Sequence, residues 1–482
     1  MPVREFAMET RGVFIDGRER SSADQSTVEV EDPAAGRAWL RVAEAGRDDV
    51  EVAVAAAERA FGDWSRRTVP ERAGVLRHAA DLVRERAEEL AHEEVRDVGK
   101  PIADARAQIS SVADVFDFYS GVVRHLHGET LPLGSGGLDY TLRQPIGVAG
   151  LITPWNFPTL IAAWKLAPAL AAGNTVVHKP ALLTPTTAVR LAAILTEAGA
   201  PPGAVNVLPG RGSVVGQALV DDPRVRKIAF TGSTEVGKGI QRGAADQLKR
   251  VTLELGGKSP SLVFADADLE KAAESGVSAV FEVAGQDCCA RSRVLVQESV
   301  HDEFVDALVA ATKAWRVGSP ADPDTQMGPL ITADQRESVL SYIASARDEG
   351  AVVFGGEPFD GPGHFMSPAV VDRTERGMRV VEEEIFGPVV SVLTFADEAE
   401  AVELGNHTNY GLSASVWTRD IARAHRCARD LQAGVVSVNS NTSVHTGAPF
   451  GGWKHSGYGR EVGAEALRYY TELKNVYVEL DD

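Results

Sequence analysis

The stretch 284–293 reads AGQDCCARSR and places two of the chain's three cysteines, Cys288 and Cys289, side by side. Neighbouring Cα atoms lie about 3.8 Å apart, short of the roughly 4.4–6.8 Å that an unstrained disulfide spans. These two thiols are therefore not bonded to each other. An ionised thiol is a nucleophile suited to covalent catalysis. That chemistry also needs preorganised donors for an oxyanion and a base for water. The third cysteine, Cys427, lies in the helical run IARAHRCARDL and reads as packing.

The partners of such a thiol must come from elements that end beside it. Between Val148 and Leu255 the chain alternates short apolar strands with helices. Strand GVAGLIT precedes helix PTLIAAWKLAPALAAG, which starts at a proline and ends at Gly173. Strand TVVHKP, helix PTTAVRLAAILTEAG, strand AVNVLP, helix SVVGQALVD, strand KIAFTG, helix TEVGKGIQRGAADQ and strand RVTLEL follow. This alternation predicts βαβ units, a parallel sheet and an α/β fold. Ligands on such sheets bind beyond the C-terminal strand ends.

The residues at those ends are an amide, a lysine, a turn and an acid. Asn156 follows the first strand in TPWNFP, and a cap or turn role would also explain it. Lys179 follows the second. Phe230-Thr231-Gly232-Ser233-Thr234 follows the fourth and opens a helix, an anion-binding arrangement. Glu254 closes the fifth, beside Gly256 and Gly257. The segment from Gly210 through Gly212 to Gly216 matches a dinucleotide fingerprint only superficially.

Elsewhere, amphipathic helical periodicity runs from Asp48 to Ala107. A second α/β unit begins at Ser261, with a helix over Asp268–Ala284, strand RVLVQ and a helix around Asp302–Trp315. The C-terminal ALRYYTELKNVYVEL reads as a strand whose free edge another subunit could cover. At 482 residues two or three domains are expected. A net charge of −19 argues against nucleic acid and anionic membranes as partners. Three cysteines make no disulfide framework, and the N-terminal MPVREFAMETRG lacks a signal-peptide core. No uncharged apolar run reaches spanning length, so a cytoplasmic location is expected.

The motifs TPWNFP, WKLAPALAAGN, KP, FTGST, LELGGKSP, GQDC, EEIFGPV, NYGLSASV and PFGGWKHSGYGRE occur in one order from Thr153 to Glu461. In them the chain resembles the aldehyde dehydrogenase superfamily over essentially its whole length. The resemblance implies a Rossmann-like cofactor domain (1–121 and 145–256) and an α/β catalytic domain (257–455). A small β oligomerisation element (122–144 and 456–482) and a homodimer or homotetramer complete the expectation.

The resemblance makes Cys288, two residues after the Gln of GQDC, the nucleophile. Cys289 becomes a small buried thiol, and extended backbone would point it to the opposite face. Asn156 with the Cys288 backbone N–H would hold the oxyanion, and Glu254 would be the base. Glu461 and Lys165 resemble a proton-relay pair, and a buried ion pair is the equal alternative. NAD is the implied cofactor. Lys179 would contact its adenosine ribose, Gly232 and Ser233 its pyrophosphate, Glu384 and Phe386 its nicotinamide ribose and ring. Ile152, Thr153, Pro154, Trp155, Gly212, Gly216, Phe230, Thr231, Val236, Leu255 and Gly256 fall in the same cofactor segments.

For substrate, the implied class is a small polar or amino aldehyde. Asp287 could hold a cationic amine, or cap its own turn. His445 and Trp453 lie in the loop that the resemblance places at the substrate entrance. Three other readings compete. A relative that passes the acyl group to coenzyme A would lack the Glu254 base, a non-catalytic relative would lack a catalytic group, and a cysteine hydrolase would need a histidine partner. His178, on the strand before Lys179, is expected to face elsewhere.

One departure concerns the cofactor. Many NAD-preferring members carry a glutamate three residues after the lysine, where this chain has Leu182. A carboxylate there would accept from the ribose 2′-OH and repel a 2′-phosphate. NADP should therefore be used alongside NAD, with weaker discrimination than is typical, read as the ratio of the two kcat/KM values. NADP left unused at millimolar concentration would overturn that expectation.

Overall fold

The computed structural model describes residues 8–133, 136–442 and 444–480. The first seven residues, part of the N-terminal reading above, lie outside the described residues. Five parallel strands form the heart of the first sheet, in spatial order Val205–Val207, Thr175–Lys179, Val148–Ile152, Val225–Thr231, Arg250–Glu254. Val148–Ile152 and Thr175–Lys179 are buried at every residue, as strands covered on both faces must be. Strand order reverses between Val148–Ile152 and Val225–Thr231. The crevice beyond their C-terminal ends is thus the topological switch point where α/β sheets take ligands.

The helix Pro158–Ala171 starts at its proline, has almost every residue buried, and gives way to Gly173 at φ +95°. Four helices, Arg47–Trp64, Val69–Glu85, Ala87–Val98 and Ile102–Val122, pack on this unit, as their periodicity implies. Short strands near the N-terminus were not expected. Val13–Ile15 joins the sheet antiparallel to Val205–Val207, and Thr27–Asp32 pairs with Arg37–Ala43. Val13–Ile15, three residues long, holds too little pattern to be read from sequence, and the longer pair is only partly buried.

The second sheet runs Val352–Gly355, Ala369–Asp372, Val389–Phe395, Arg293–Gln297, Pro260–Val263, Ser413–Trp417, Val435–Val438. Its first strand is antiparallel and the others are parallel. Helix Leu269–Phe281 ends three residues earlier than its pattern suggested. Val283, Ala284 and Gly285 take φ of 51°, 55° and 71°, reversing the chain in a left-handed conformation disfavoured for valine.

The C-terminal segment is not strand throughout. Ala464–Tyr470 forms tight helical turns, and only Thr471–Val478 is extended. That strand pairs antiparallel with Leu138–Pro145, whose other edge holds Thr130–Leu131. One edge of Thr471–Val478 is thus covered within the chain. Leu473 and Tyr477 on it remain at least half exposed. Gly457–Tyr458 instead pairs with Leu253 and Glu254 at the edge of the first sheet. No helix among the described residues is long and apolar enough to cross a membrane.

Asn174 ties these parts together. Fully buried, it accepts from the Gly147 N–H at 3.0 Å and donates to the carbonyls of Ala169 (3.1 Å) and Tyr470 (2.9 Å). Asn174→Ala should leave those groups without partners and cost about 3 kcal/mol or more. A lowered midpoint of chemical denaturation is the expected readout, and an unchanged midpoint would contradict it.

Candidate functional site

The thiol pair sits in a tight turn, closed by the Ala290 N–H donating to the Asp287 carbonyl at 3.2 Å. Cys288 and Cys289 are both half-buried. Contrary to the extended-backbone expectation, both line one cavity, and their sulfurs lie with an Asp287 oxygen within 4.8 Å of one another. The turn, unlike a strand, does not alternate its side chains. Asp287 accepts from the Cys289 N–H at 3.1 Å and from its thiol at 3.3 Å. The buried Arg291 donates to the Cys289 carbonyl and to Ser415 Oγ at 2.8 Å, fixing the turn from behind. The Cys288 thiol is held well above its usual pKa. Its contact with Cys289 is the first cause, followed by burial and the charges of Asp287 and Glu384.

Two further groups reach this turn. The Asn156 amide donates to the carbonyl of Gln286 at 2.8 Å, inside the protein. The Gln286 side chain is itself fixed, donating to Val283 O at 2.9 Å and accepting from the Ile331 N–H at 2.9 Å. The segment from Leu255 to Ser259 crosses from the first sheet to the second. A Cβ on Gly257 would run into the Cys288 carbonyl, and one on Gly256 into the Glu384 carboxylate. Gly257 N–H donates to that carboxylate at 3.0 Å.

Glu254 ends its strand at 3% exposure, with neither carboxylate oxygen hydrogen-bonded. Burial pushes its pKa well up, and the charge of Glu461 adds to this against Lys165 and Arg460. Lys165 and Glu461 form a direct buried ion pair in which Glu461 Oε2 has no partner. Behind them lies Lys227, which the sequence reading did not single out. It donates to Thr252 Oγ1 at 3.1 Å and sits 4.7 Å from the centre of the Tyr470 ring. Burial lowers its pKa to about 7.

The crevice at the switch point carries the remaining candidates. Ser233 caps helix Thr234–Ala245 through its backbone while its hydroxyl makes no capping bond, and Thr231 Oγ1 is buried without a partner. Gly232 N–H is used by the Glu254 carbonyl at 3.0 Å. Leu255 packs on Gly237, Val236 is exposed, and Gly216 faces Ile152 across the turn that Gly212 begins. Phe230 is buried under Gly232. Trp155 and Phe386 meet edge to face at 5.4 Å, beside Pro154, with Phe386 at φ 55°. A cavity of about 520 Å³ runs between Ser233 and Glu384. Burial raises Glu384 to about 7 and lowers Lys179 to about 8. Thr153 N–H donates to the Lys179 carbonyl at 3.1 Å, and its hydroxyl meets His178 Nε2 at 2.8 Å. His178 is fully buried, which lowers its pKa to about 3, and it is not among the described residues that line the thiols' cavity. Leu182 packs on Val30, Leu40 and Val42, an apolar contact that the unexpected N-terminal strands supply.

The thiols' cavity measures about 350 Å³. The entrance loop contributes Asn441, Thr442 and Val444 to it, and neither His445 nor Trp453 is among its lining residues. Both of these side chains are exposed, with the Trp453 N–H tied to the Gly411 carbonyl at 2.9 Å. The residue missed in the sequence is Glu282, which reaches the cavity from the end of the helix. A charged residue at the end of an amphipathic helix reads as solvated. Here it is exposed to water, but it stands at the left-handed reversal of 283–285 and lines the cavity.

An α/β protein with a thiol and an amide at one turn, and a buried acid where the chain begins its crossing between sheets, defines a cysteine-centred class of enzyme. Residues 20–476 match the aldehyde dehydrogenase family, and the chain belongs to that family. It is similar to a betaine aldehyde dehydrogenase of Cereibacter sphaeroides, 45% identical over 467 residues and covering 96% of each chain. An NAD-dependent aldehyde dehydrogenase from Sinorhizobium meliloti superposes with a TM-score of 0.97 at 41% identity, over 98% of this chain and 95% of that one. A betaine aldehyde dehydrogenase from Staphylococcus aureus in complex with NAD+ gives 0.95 at 38% identity, over 98% and 95%.

Because Cys289 and Asp287 both hold the Cys288 proton on, removing either should release it. Cys289→Ala and Asp287→Asn should shift the pH profile of Cys288 alkylation to lower pH. A profile unmoved in both variants would show that the turn does not govern the thiol.

Proposed function

We propose that the protein oxidises an aldehyde to its carboxylic acid with NAD+, through a thioester on Cys288. One observation carries this: Cys288, Asn156 and Glu254 are gathered around a single glycine crossing, with the acid buried and unpartnered. The Cys288 thiol gives its proton to water, its sulfur adds to the carbonyl carbon, and the carbonyl oxygen becomes an alkoxide. The Asn156 amide has two hydrogens, of which Gln286 takes one, so the other can serve that alkoxide together with the Cys288 backbone N–H. When bound, the nicotinamide supplies the hydride acceptor. Loss of hydride leaves an acyl group on the sulfur. Glu254 takes a proton from water, the hydroxyl adds to that carbon, and the carboxylate departs as Cys288 recovers its thiol. The high pKa of Glu254 suits a base, since an ordinary carboxylate would bind the proton too weakly.

The switch-point crevice fits a dinucleotide in its own chemistry. The Ser233 hydroxyl at a helix start and the orphaned Thr231 hydroxyl supply donors, and the Glu384 carboxylate supplies an acceptor. Lys179, Leu182, Gly232, Ser233, Glu384 and Phe386 are the residues we assign to holding it. Glu254 favours hydrolysis over transfer to coenzyme A. The Lys165–Glu461 pair is assigned as the proton's route from Glu254, and a normal pH–rate profile in Glu461→Gln would remove it from that role. We further infer a cofactor domain of 1–121 and 145–256, a catalytic domain of 257–455 and an oligomerisation element of 122–144 and 456–482. The exposed apolar residues Leu142, Leu473 and Tyr477 of the three-stranded sheet support a homodimer or homotetramer.

Two variants test the scheme. Cys288→Ala should abolish oxidation of every accepted aldehyde. Glu254→Gln should retain a burst of reduced nicotinamide, about one per site, and then turn over roughly 100-fold or more slowly. A Glu254→Gln protein with full steady-state rate would overturn the base assignment.

A further inference from the structure

The cavity that holds Cys288 is unevenly furnished. Phe157, Trp164 and Phe450 make one wall, the Trp164 and Phe450 rings 5.4 Å apart and tilted by 54°. Ser275, Ser278, Asn441 and Thr442 supply the neutral polar groups. No lysine, arginine or histidine is among the described residues that line it. Two carboxylates do: Asp287, already engaged by the Cys289 N–H and thiol, and Glu282. No described residue donates a hydrogen bond to Glu282 or pairs with it as an ion. Its side chain is exposed to water where it lines the cavity.

Resting on the oxidation reading above, we propose that Glu282 is a specificity-determining residue that binds the ammonium group of a short amino aldehyde while Cys288 attacks the other end. An acid in this position is a defect for a neutral substrate, because closing an apolar chain over an unpaired carboxylate strips its water without replacement. A cation replaces that water with a charge-assisted hydrogen bond. The modest volume, about 350 Å³, suits a short chain. The aromatic wall can accommodate the methylenes and face the cation as well. Asp287 adds negative potential, while its direct hydrogen bonds are spent inside the turn.

The charged and titratable groups facing Glu282 reinforce one sign. Asp104 on helix Ile102–Val122 and Asp287 both press its proton on, and with burial, the largest cause, they raise it to about 7. Lys100, the cation nearest Asp104 in effect, is bound to Glu94 at 2.5 Å. Helix Leu269–Phe281 presents only Ser275, Ser278 and Ala279 to the cavity. Cys288 and Cys289 complete the set, and burial with its neighbours keeps the Cys288 proton on. Above about pH 7 Glu282 is therefore anionic and the site attracts cations; below it the attraction fades.

The test compares kcat/KM for β-aminopropionaldehyde with that for butyraldehyde, its neutral counterpart, with NAD+. Wild type should prefer the amine, and the preference should grow as pH rises from about 6 to about 8, the interval that brackets the Glu282 transition. Glu282→Gln should lower the preference by roughly tenfold to hundredfold and flatten its pH dependence. Glu282→Asp should keep part of it. Ser278→Lys, which sets a resident ammonium in the same cavity, should lower the preference as well and serves if Glu282→Gln does not fold. Parallel loss for both aldehydes in Glu282→Gln, or a wild-type preference that is absent, overturns this inference and leaves oxidation standing. Turnover of neither aldehyde by wild type overturns both.

Discussion

Everything at the site depends on how closely two pieces of backbone pass each other. Between the last strand of the first sheet and the first strand of the second, the chain crosses in five residues, Leu255 to Ser259. Gly257 lies against the Cys288 carbonyl and Gly256 against the Glu384 carboxylate, with no room for a Cβ on either. This crossing brings the C-terminal ends of one parallel sheet to the loops that precede strands of the other. An acid from the first sheet, a thiol from the second and a crevice between them result. A methyl group there would push the two sheets apart.

Around the crossing the protein accumulates buried charge. Lys165, Lys227, Glu254 and Glu461 lie within one shielded region, and Glu254 and Glu461 between them leave three oxygens without hydrogen bonds. Such groups cost folding free energy unless paired. Here the pairing is partial: Lys165 holds one Glu461 oxygen, and the others stay without partners. Desolvation and like charge push Glu254 towards holding a proton, and the same forces act on Cys288 and Glu282. Perturbation of this kind concentrates where proton transfer is needed. The reserve of strain at Val283 and Ala284 belongs to the same economy of position, since it turns the loop that carries Gln286 and the thiols.

Much of the fold was legible because its signals are strong. Buried parallel strands are continuous apolar runs bounded by proline and glycine, and the helices between them are amphipathic, so period and punctuation separate them. The N-terminal strands, one only three residues long and the others only partly buried, carried no such signal. The end of helix Leu269–Phe281 was misread because its pattern continues past the point where three left-handed residues break it. In the site, Glu254 and Asn156 stood out by residue type and place at strand ends, and Cys288 by the GQDC motif of the resemblance. The shared orientation of the two thiols was not, because it follows from a turn rather than from an extended run.

By itself, then, the amino-acid sequence determined the alternation of strand and helix, the order of chemically able residues and the family they belong to. These depend on local preference and on side-chain chemistry, which sequence carries directly. Tertiary structure alone decided which of those residues meet. The proximity of Lys227 to the Lys165–Glu461 pair, the apolar seat of Leu182 under the N-terminal strands and the place of Glu282 at the cavity all arise between segments far apart in the chain or at a backbone reversal. Distance and burial are properties of packing, and packing sets both the protonation of a carboxylate and what it can bind.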